Sequence, residues 1–229
     1  DPIEVALDGV SQSQAQPAAG FTLATGLRSL MRQDPEVILV GEIRDTETVE
    51  TVFQAALTGH LVISTFHSGS AAGAISRLLD MGIEPYLITS GVRAVMHQRL
   101  VRRLCECAVG ATAGLPSSAL DTGGQATRGT PNVLGLPVSK AHKATGCDRC
   151  RHSGYLGRLA LAEMLPPLIG ELNRAVLERR DVTELGRLAR EAGMTTVFQR
   201  ACAAVEAGQT DPAEVRRVLG FMDETQRPA

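Results

Sequence analysis

Val37-Ile38-Leu39-Val40-Gly41-Glu42-Ile43-Arg44-Asp45, and further on Leu61-Val62-Ile63-Ser64-Thr65-Phe66-His67-Ser68-Gly69, form the part of the sequence that decides the fold. Each begins as a short run of β-branched and apolar residues and ends in small and polar ones. A run of this kind reads as a strand buried on both faces of a parallel sheet. Between them, Val49, Val52, Phe53 and Ala56 recur at helical spacing over about 46–58, and Gly59 supplies a C-terminal stop. A second helix is expected over about 70–81, ended by Gly82 and followed by Pro85, and a longer one over about 86–104. Strand, helix, strand, helix implies an α/β domain with a parallel sheet, whose ligands bind at the carboxyl ends of the strands.

The acid and the histidine beyond those strand ends are therefore the first site candidates. Glu42 follows the first strand, where a nucleotide enzyme holds a metal or polarises water, although a solvated glutamate in a turn looks the same. His67 follows the second strand and precedes a Ser-Gly-Ser helix start whose backbone amides could meet phosphate. His60 sits at the other end of that strand. Asp45, just before Thr46, reads as a helix cap. Arg28 and Arg32, four apart on one helix face, read as surface partners for acids.

Composition excludes several classes. The 229 residues are 44% hydrophobic and 21% charged with a formal net charge of −2, so no basic footprint points to nucleic acid. Lys140 and Lys143 are the sole lysines. No run nears the roughly 18 apolar residues that span a bilayer, and the start lacks the order of a signal peptide, so the chain reads as cytoplasmic. Its first residues, Asp1-Pro2-Ile3-Glu4, read as the beginning of a piece of a longer protein.

Five cysteines include two close pairs, Cys105-Glu106-Cys107 and Cys147-Asp148-Arg149-Cys150, bracketing a segment rich in Gly, Ala, Ser and Thr. This pattern suits a tetrahedral zinc site in a reducing compartment better than a disulfide framework. The tight Cys-x-Cys half leaves three readings open: a slightly distorted zinc site, one with His142 or His152 as substitute ligand, or a motif without metal. Cys202 is left over as core. Amphipathic helices follow at about 169–179, 183–191, 195–207 and 212–219. No internal repeat is present.

Read as an ordered string, Asp1-Pro2-Ile3-Glu4, Arg32-Gln33-Asp34-Pro35, Gly41-Glu42-Ile43-Arg44-Asp45, Thr58-Gly59-His60, Ser64-Thr65-Phe66-His67-Ser68, Met81-Gly82-Ile83-Glu84-Pro85 and Gln98-Arg99-Leu100-Val101-Arg102 resemble the type II secretion and type IV pilus assembly ATPase family. The likeness runs on more loosely through Gly154-Tyr155, Gly157-Arg158 and Glu163 to about Val218. It implies a partial RecA-like parallel-sheet ATPase core over 1–104, a cysteine-rich zinc-binding insertion over 105–155 and a helical C-terminal subdomain over 156–229. By position, Glu4 matches the aspartate-box glutamate that serves the attacking water, Glu42 the Walker B carboxylate near Mg²⁺, and His67 the histidine that approaches the γ-phosphate of ATP. His60 belongs to the same histidine box in support. The family's cysteine motif has Cys-x-x-Cys in both halves, so the first pair departs from it.

The resemblance also implies a homo-hexamer, an inner-membrane secretion platform as partner, and a peripheral position there without a membrane span or nucleic acid. One part is missing from this stretch. A phosphate-binding loop needs Gly-x-x-x-x-Gly-Lys-Ser/Thr, which neither Lys140 nor Lys143 offers, and the family places it upstream. The chain alone is therefore expected to hydrolyse ATP poorly. A silent zinc-containing interaction module is the alternative from another class. A different α/β hydrolase lacks a Gly-x-Ser-x-Gly elbow.

Overall fold

The computed structural model describes residues 3–111 and 132–220. They fall into two compact units, Asp1–Val95 with Pro167–Leu188 and Met96–Pro166 with Ala189–Ala229.

The first unit opens with α1 (Leu23–Leu30), whose N-terminus is closed by a reciprocal bond between Thr22 and Thr25. Then come β1 (Val37–Val40), α2 (Thr46–Leu57), β2 (Leu61–Ser64), α3 (Ala71–Asp80) and α4 (Pro85–Gly91). Later in the chain α5 (Gly170–Leu177) and α6 (Val182–Glu191) follow, the last residues of α6 falling in the second unit. β1 and β2 pair in parallel, Val37 opposite Leu61 and Val40 opposite Ser64, with α2 as the crossover. Ile38 and Val40 pack with Leu27 of α1 and Ala55 of α2.

The expectation of a strand covered on both faces is corrected here. Val37 and Leu39 are 55% and 72% exposed, and Leu61 and Ile63 on the same side are about half exposed. Strand residues alternate between faces, and α1 and α2 supply apolar partners to one face alone.

A second correction concerns residues 86–104, expected as one helix. The helix α4 stops at Gly91, which packs closely under the Phe53 ring, and the chain turns extended at Val92. The rest becomes β3 (Met96–Leu104). Met96, Leu100, Val101 and Leu104 mimic helical spacing, and Arg, Leu and Gln are good helix formers. A partner far away in sequence overrides that local preference: β8 (Tyr155–Met164) pairs antiparallel with β3 from Met96 opposite Met164 to Leu104 opposite Tyr155, with an irregularity at 102–104.

Between those strands the second unit carries β4 (Val109–Ala111), β5 (Asn132–Val133), β6 (Leu136–Pro137) and β7 (Ala141–Lys143), paired as β4 with β7 and β5 with β6. The helices α7 (Val197–Glu206) and α8 (Pro212–Leu219) complete it. Val101 and Leu161 face a core of Leu136, Val138, Phe198, Ala201, Val205 and Val215. The buried Glu163 carboxylate accepts the Val197 N–H at 3.0 Å, so α7 begins on a fixed anion as well as on its Thr196 cap. The helical expectations at 169–179, 183–191, 195–207 and 212–219 are matched by α5 to α8, whose amphipathic periods are local.

Candidate functional site

The carboxyl ends of β1 and β2 are clamped together by side chains. Ser64 Oγ donates to the Val40 carbonyl at 2.8 Å, Thr65 Oγ1 to the Gly41 carbonyl at 2.6 Å, and the Ile43 N–H to the Thr65 carbonyl at 3.1 Å. Two small hydroxyl residues thus extend the pairing one step past the strands. Glu42 and His67 lie just beyond this clamp, and His67 Nε2 is 2.7 Å from Glu42 Oε1. The other oxygen, Oε2, accepts Arg44 Nε at 2.8 Å and Nη2 at 2.7 Å.

Glu42 is the sheltered member, its side chain 14% exposed against 66% for Arg44 and 90% for His67. The Arg44 hydrogen bonds hold the Glu42 carboxyl below its ordinary range; partial burial works the other way, and the nearby Arg44 and His67 charges add to the lowering. Arg44 is raised in return by the same bonds. A carboxylate kept ionised at the end of a parallel strand is a hard oxygen donor of the kind Mg²⁺ takes, so this residue fits one position of such an ion.

The other sequence candidates fall elsewhere. Asp45 caps α2, accepting from Thr48 N at 2.7 Å and Thr48 Oγ1 at 3.0 Å, as its position before Thr46 implied. His60 lies before β2, its Nδ1 3.0 Å from the Ala55 carbonyl and 3.1 Å from Thr58 Oγ1, where it closes the C-terminus of α2. That is the opposite end of the strand from His67. Glu4 is exposed in a segment held by Gln12 and Gln14 side chains, and it bonds to neither Glu42 nor His67. Arg28 pairs with Glu47 at 3.0 Å and Arg32 donates to the Arg28 carbonyl, both surface roles. Arg44 was quoted within the sequence motif without a role. The signal was available, since residues i and i+2 of an extended segment face the same side.

The second constellation is in the other unit. Cys105, Cys107, Cys147 and Cys150 place their sulfurs within 4.8 Å of one another. Cys105 to Cys147 and Cys107 to Cys150 are both 3.9 Å, and Cys147 to Cys150 is 3.8 Å. A tetrahedral shell with Zn–S of about 2.3 Å has sulfurs about 3.8 Å apart, so the four residues fit zinc by spacing as well as by softness. Backbone N–H groups of Cys147 and Gly154 point at Cys150 Sγ at 3.1 and 3.3 Å. Burial opposes ionisation of Cys150, but these donors outweigh it and bring its thiol down to about 6.

Two glycines make this turn possible. At Gly146 (φ +109) a Cβ would lie 2.7 Å from the His152 carbonyl oxygen, and at Gly154 (φ +77) one would lie 2.6 Å from the Ala144 Cβ. His152 turns to Asp148 at 3.2 Å, and His142 lies against Gly208. Neither histidine belongs to the cluster, so the tight Cys-x-Cys pair supplies its own two sulfurs.

Residues 1–217 match the family described as Type II/IV secretion system protein. The chain belongs to this family. Among its relatives, the type II secretion system protein E of Dickeya dadantii is 44% identical over 220 residues, covering 95% of this chain and 41% of that protein. The type IV pilus assembly ATPase PilB of Thermus thermophilus is 39% identical over 215 residues, covering 94% of this chain and 23% of PilB. The chain thus spans less than half the length of these relatives. The structure of the Legionella pneumophila ATPase DotB superposes with a TM-score of 0.61 over 94% of this chain and 48% of DotB, at 22% identity, which shows a shared fold. Among the described residues of this family member, no helix is long and apolar enough to cross a membrane.

Proposed function

We propose that the chain is part of an ATP-hydrolysing motor that powers type II protein secretion, carrying the acidic half of the nucleotide site and a structural zinc centre. The observation that carries this reading is the sheltered Glu42 carboxylate, held 2.7 Å from His67 beyond a clamped parallel strand pair. Family membership and relatives named as secretion proteins support it.

Phosphoryl transfer depends on positioning and electrostatics more than on covalent chemistry from the protein. Glu42, kept ionised, holds negative charge where a metal-bound phosphate is to be received. His67, almost wholly exposed and anchored on Glu42 through Nε2, is assigned to approaching the γ-phosphate. Glu4 is assigned to activating the attacking water and His60 to supporting the histidine box from the far end of β2. Mg²⁺, when bound with ATP, supplies charge neutralisation across the phosphates. The Cys105, Cys107, Cys147 and Cys150 shell holds Zn²⁺ as a staple with all four positions filled by protein, a structural rather than a catalytic arrangement.

The functional segments are 1–104 for the ATPase core, 105–155 for the metal-binding insertion and 156–229 for the C-terminal subdomain. The whole protein works as a homo-hexamer in the cytoplasm against inner-membrane platform proteins. The similarity to PilB favours one second reading, a pilus assembly motor using the same residues.

Steady-state ATP hydrolysis with magnesium tests the proposal, comparing this chain, the whole-length protein and its Glu42→Gln variant. Turnover by the whole-length protein alone, lost on substitution, is the expected result. A correctly assembled whole-length protein without turnover sinks the motor reading in favour of a silent zinc module.

A further inference from the structure

Glu42 is held at two ends. His67 and Arg44 meet its carboxylate, while Thr65 holds the backbone on either side of it. Thr65 Oγ1 donates to the Gly41 carbonyl at 2.6 Å, and the Ile43 N–H donates to the Thr65 carbonyl at 3.1 Å. The two peptide units that meet at the Glu42 Cα are therefore both tied to one residue. Each peptide unit is a rigid plane, so fixing both sets the direction in which the Glu42 side chain leaves the backbone. Ser64 acts differently. Its Oγ donates to the Val40 carbonyl at 2.8 Å, closing the strand pair, and to the Thr65 carbonyl at 3.3 Å, buttressing the group that receives Ile43. Thr65 stands two residues before His67, so the 2.7 Å contact between His67 Nε2 and Glu42 Oε1 closes a short ring through 41–43 and 65–67.

We propose that Thr65 is a positioning residue of the Glu42 site: its hydroxyl and carbonyl together fix the two peptide planes at Glu42 and so aim the carboxylate at the place where His67 meets it. The inference rests on reading Glu42 as a working carboxylate of an ATPase. A β-branched side chain has few χ1 choices, so the hydroxyl is presented to Gly41 with little freedom. Thr65 is exposed, and water can therefore replace the hydroxyl on the Gly41 carbonyl with little loss of stability. Water does not reproduce the angle. A misplacement of about 1 Å at a reacting group lowers a rate on the order of a hundred-fold, so this bond weighs on catalysis more than on folding.

The test compares two variants of the whole-length protein: Thr65→Val, which keeps the branched shape without the hydroxyl, and Thr65→Ser, which returns it. Thr65→Val is expected to lower kcat for ATP by about ten- to a hundred-fold, with KM within about two-fold of wild type and the melting temperature unchanged. Thr65→Ser is expected to recover most of the loss. Equal kcat in wild type and Thr65→Val overturns the proposal. So does a loss that Thr65→Ser fails to recover, or one matched by a fall in melting temperature, since either marks a bond that serves the fold alone.

A second measurement does not depend on turnover. Hydrogen exchange at the Ile43 amide of the same proteins is expected to be several-fold faster in Thr65→Val and close to wild type in Thr65→Ser. Unchanged exchange in Thr65→Val overturns the bracketing of Glu42. A whole-length wild type that does not hydrolyse ATP overturns the ATPase reading and the catalytic use of Thr65 together, while exchange at Ile43 still decides whether Thr65 fixes Glu42.

Discussion

Glu214 has no solvent-accessible side-chain surface, yet it accepts three hydrogen bonds from Arg102: the backbone N–H at 2.8 Å, Nε at 2.9 Å and Nη2 at 2.7 Å. Arg217 adds two more at 2.7 Å from the next turn of α8. The Arg102 guanidinium lies 4.0 Å over the Tyr155 ring, and the Tyr155 hydroxyl donates to Asp211, the N-cap of α8. One buried carboxylate thus fastens α8 to the β3–β8 hairpin.

Glu214→Gln leaves two arginines facing a neutral amide. Breaking a buried pair costs about 3–5 kcal/mol, and because Arg102 and Arg217 are about half exposed the low end applies, about 3 kcal/mol. Urea denaturation checks this. A loss under about 1 kcal/mol would mean that the network is not what holds α8.

Acid should undo the same fastening. Burial raises the Glu214 carboxyl, but the Arg217 and Arg102 hydrogen bonds outweigh it and bring it from 4.5 to about 2. A group whose folded pKa is depressed adds stability that is fully present above 4.5 and drains away as pH falls toward 2. Wild-type melting temperature is therefore expected to fall across that window more steeply than that of Glu214→Gln. Parallel curves would count against it.

Chain produced with zinc in the medium is expected to carry about one equivalent of the metal. Elemental analysis checks this, and Cys150→Ser should cut retention after mild chelation, because it removes the sulfur that collects two backbone donors. A metal-free wild type would overturn the zinc assignment.

Gly154→Ala is expected to destabilise by roughly 1–3 kcal/mol, since it combines a left-handed backbone with a collision against Ala144. Gly59→Ala shares the positive φ but meets nothing within 4 Å, so it should cost less. Thermal melts of the two variants give the comparison, and equal losses would remove the steric argument.

Much of the first unit was legible because its signals are local. Asp45 before Thr46, Gly59 after α2 and Gly82 after α3 are punctuation that needs no tertiary context. The edge shared by Glu42 and His67 follows from two parallel strands ending together. Three features were not legible. β3 reads as helix because Met96, Leu100 and Leu104 fall four apart, and its true partner begins at Tyr155. The bare face of Val37 and Leu39 depends on which elements are at hand to cover it, which a four-residue run does not state. His60 and His67 look like one motif in sequence, whereas a strand between them sets them at opposite ends.

The cysteine cluster sits at the place where β3 ends and β8 begins: Cys105 directly follows Leu104, and Gly154 beside Cys150 directly precedes Tyr155. Cys105 and Cys147 are 42 residues apart, yet their sulfurs are 3.9 Å apart. With the proposed zinc bound, the cluster would serve the two long strands as a short turn, closing the hairpin across the residues between Cys105 and Cys147. Loop-closure entropy rises only slowly with length, and here it is charged to the sulfur knot rather than to the strands. The register of Val101 against Leu159 is accordingly set from two sides, by the cysteines at the strand ends and by Leu136 and Val138, which the intervening stretch returns to the same core.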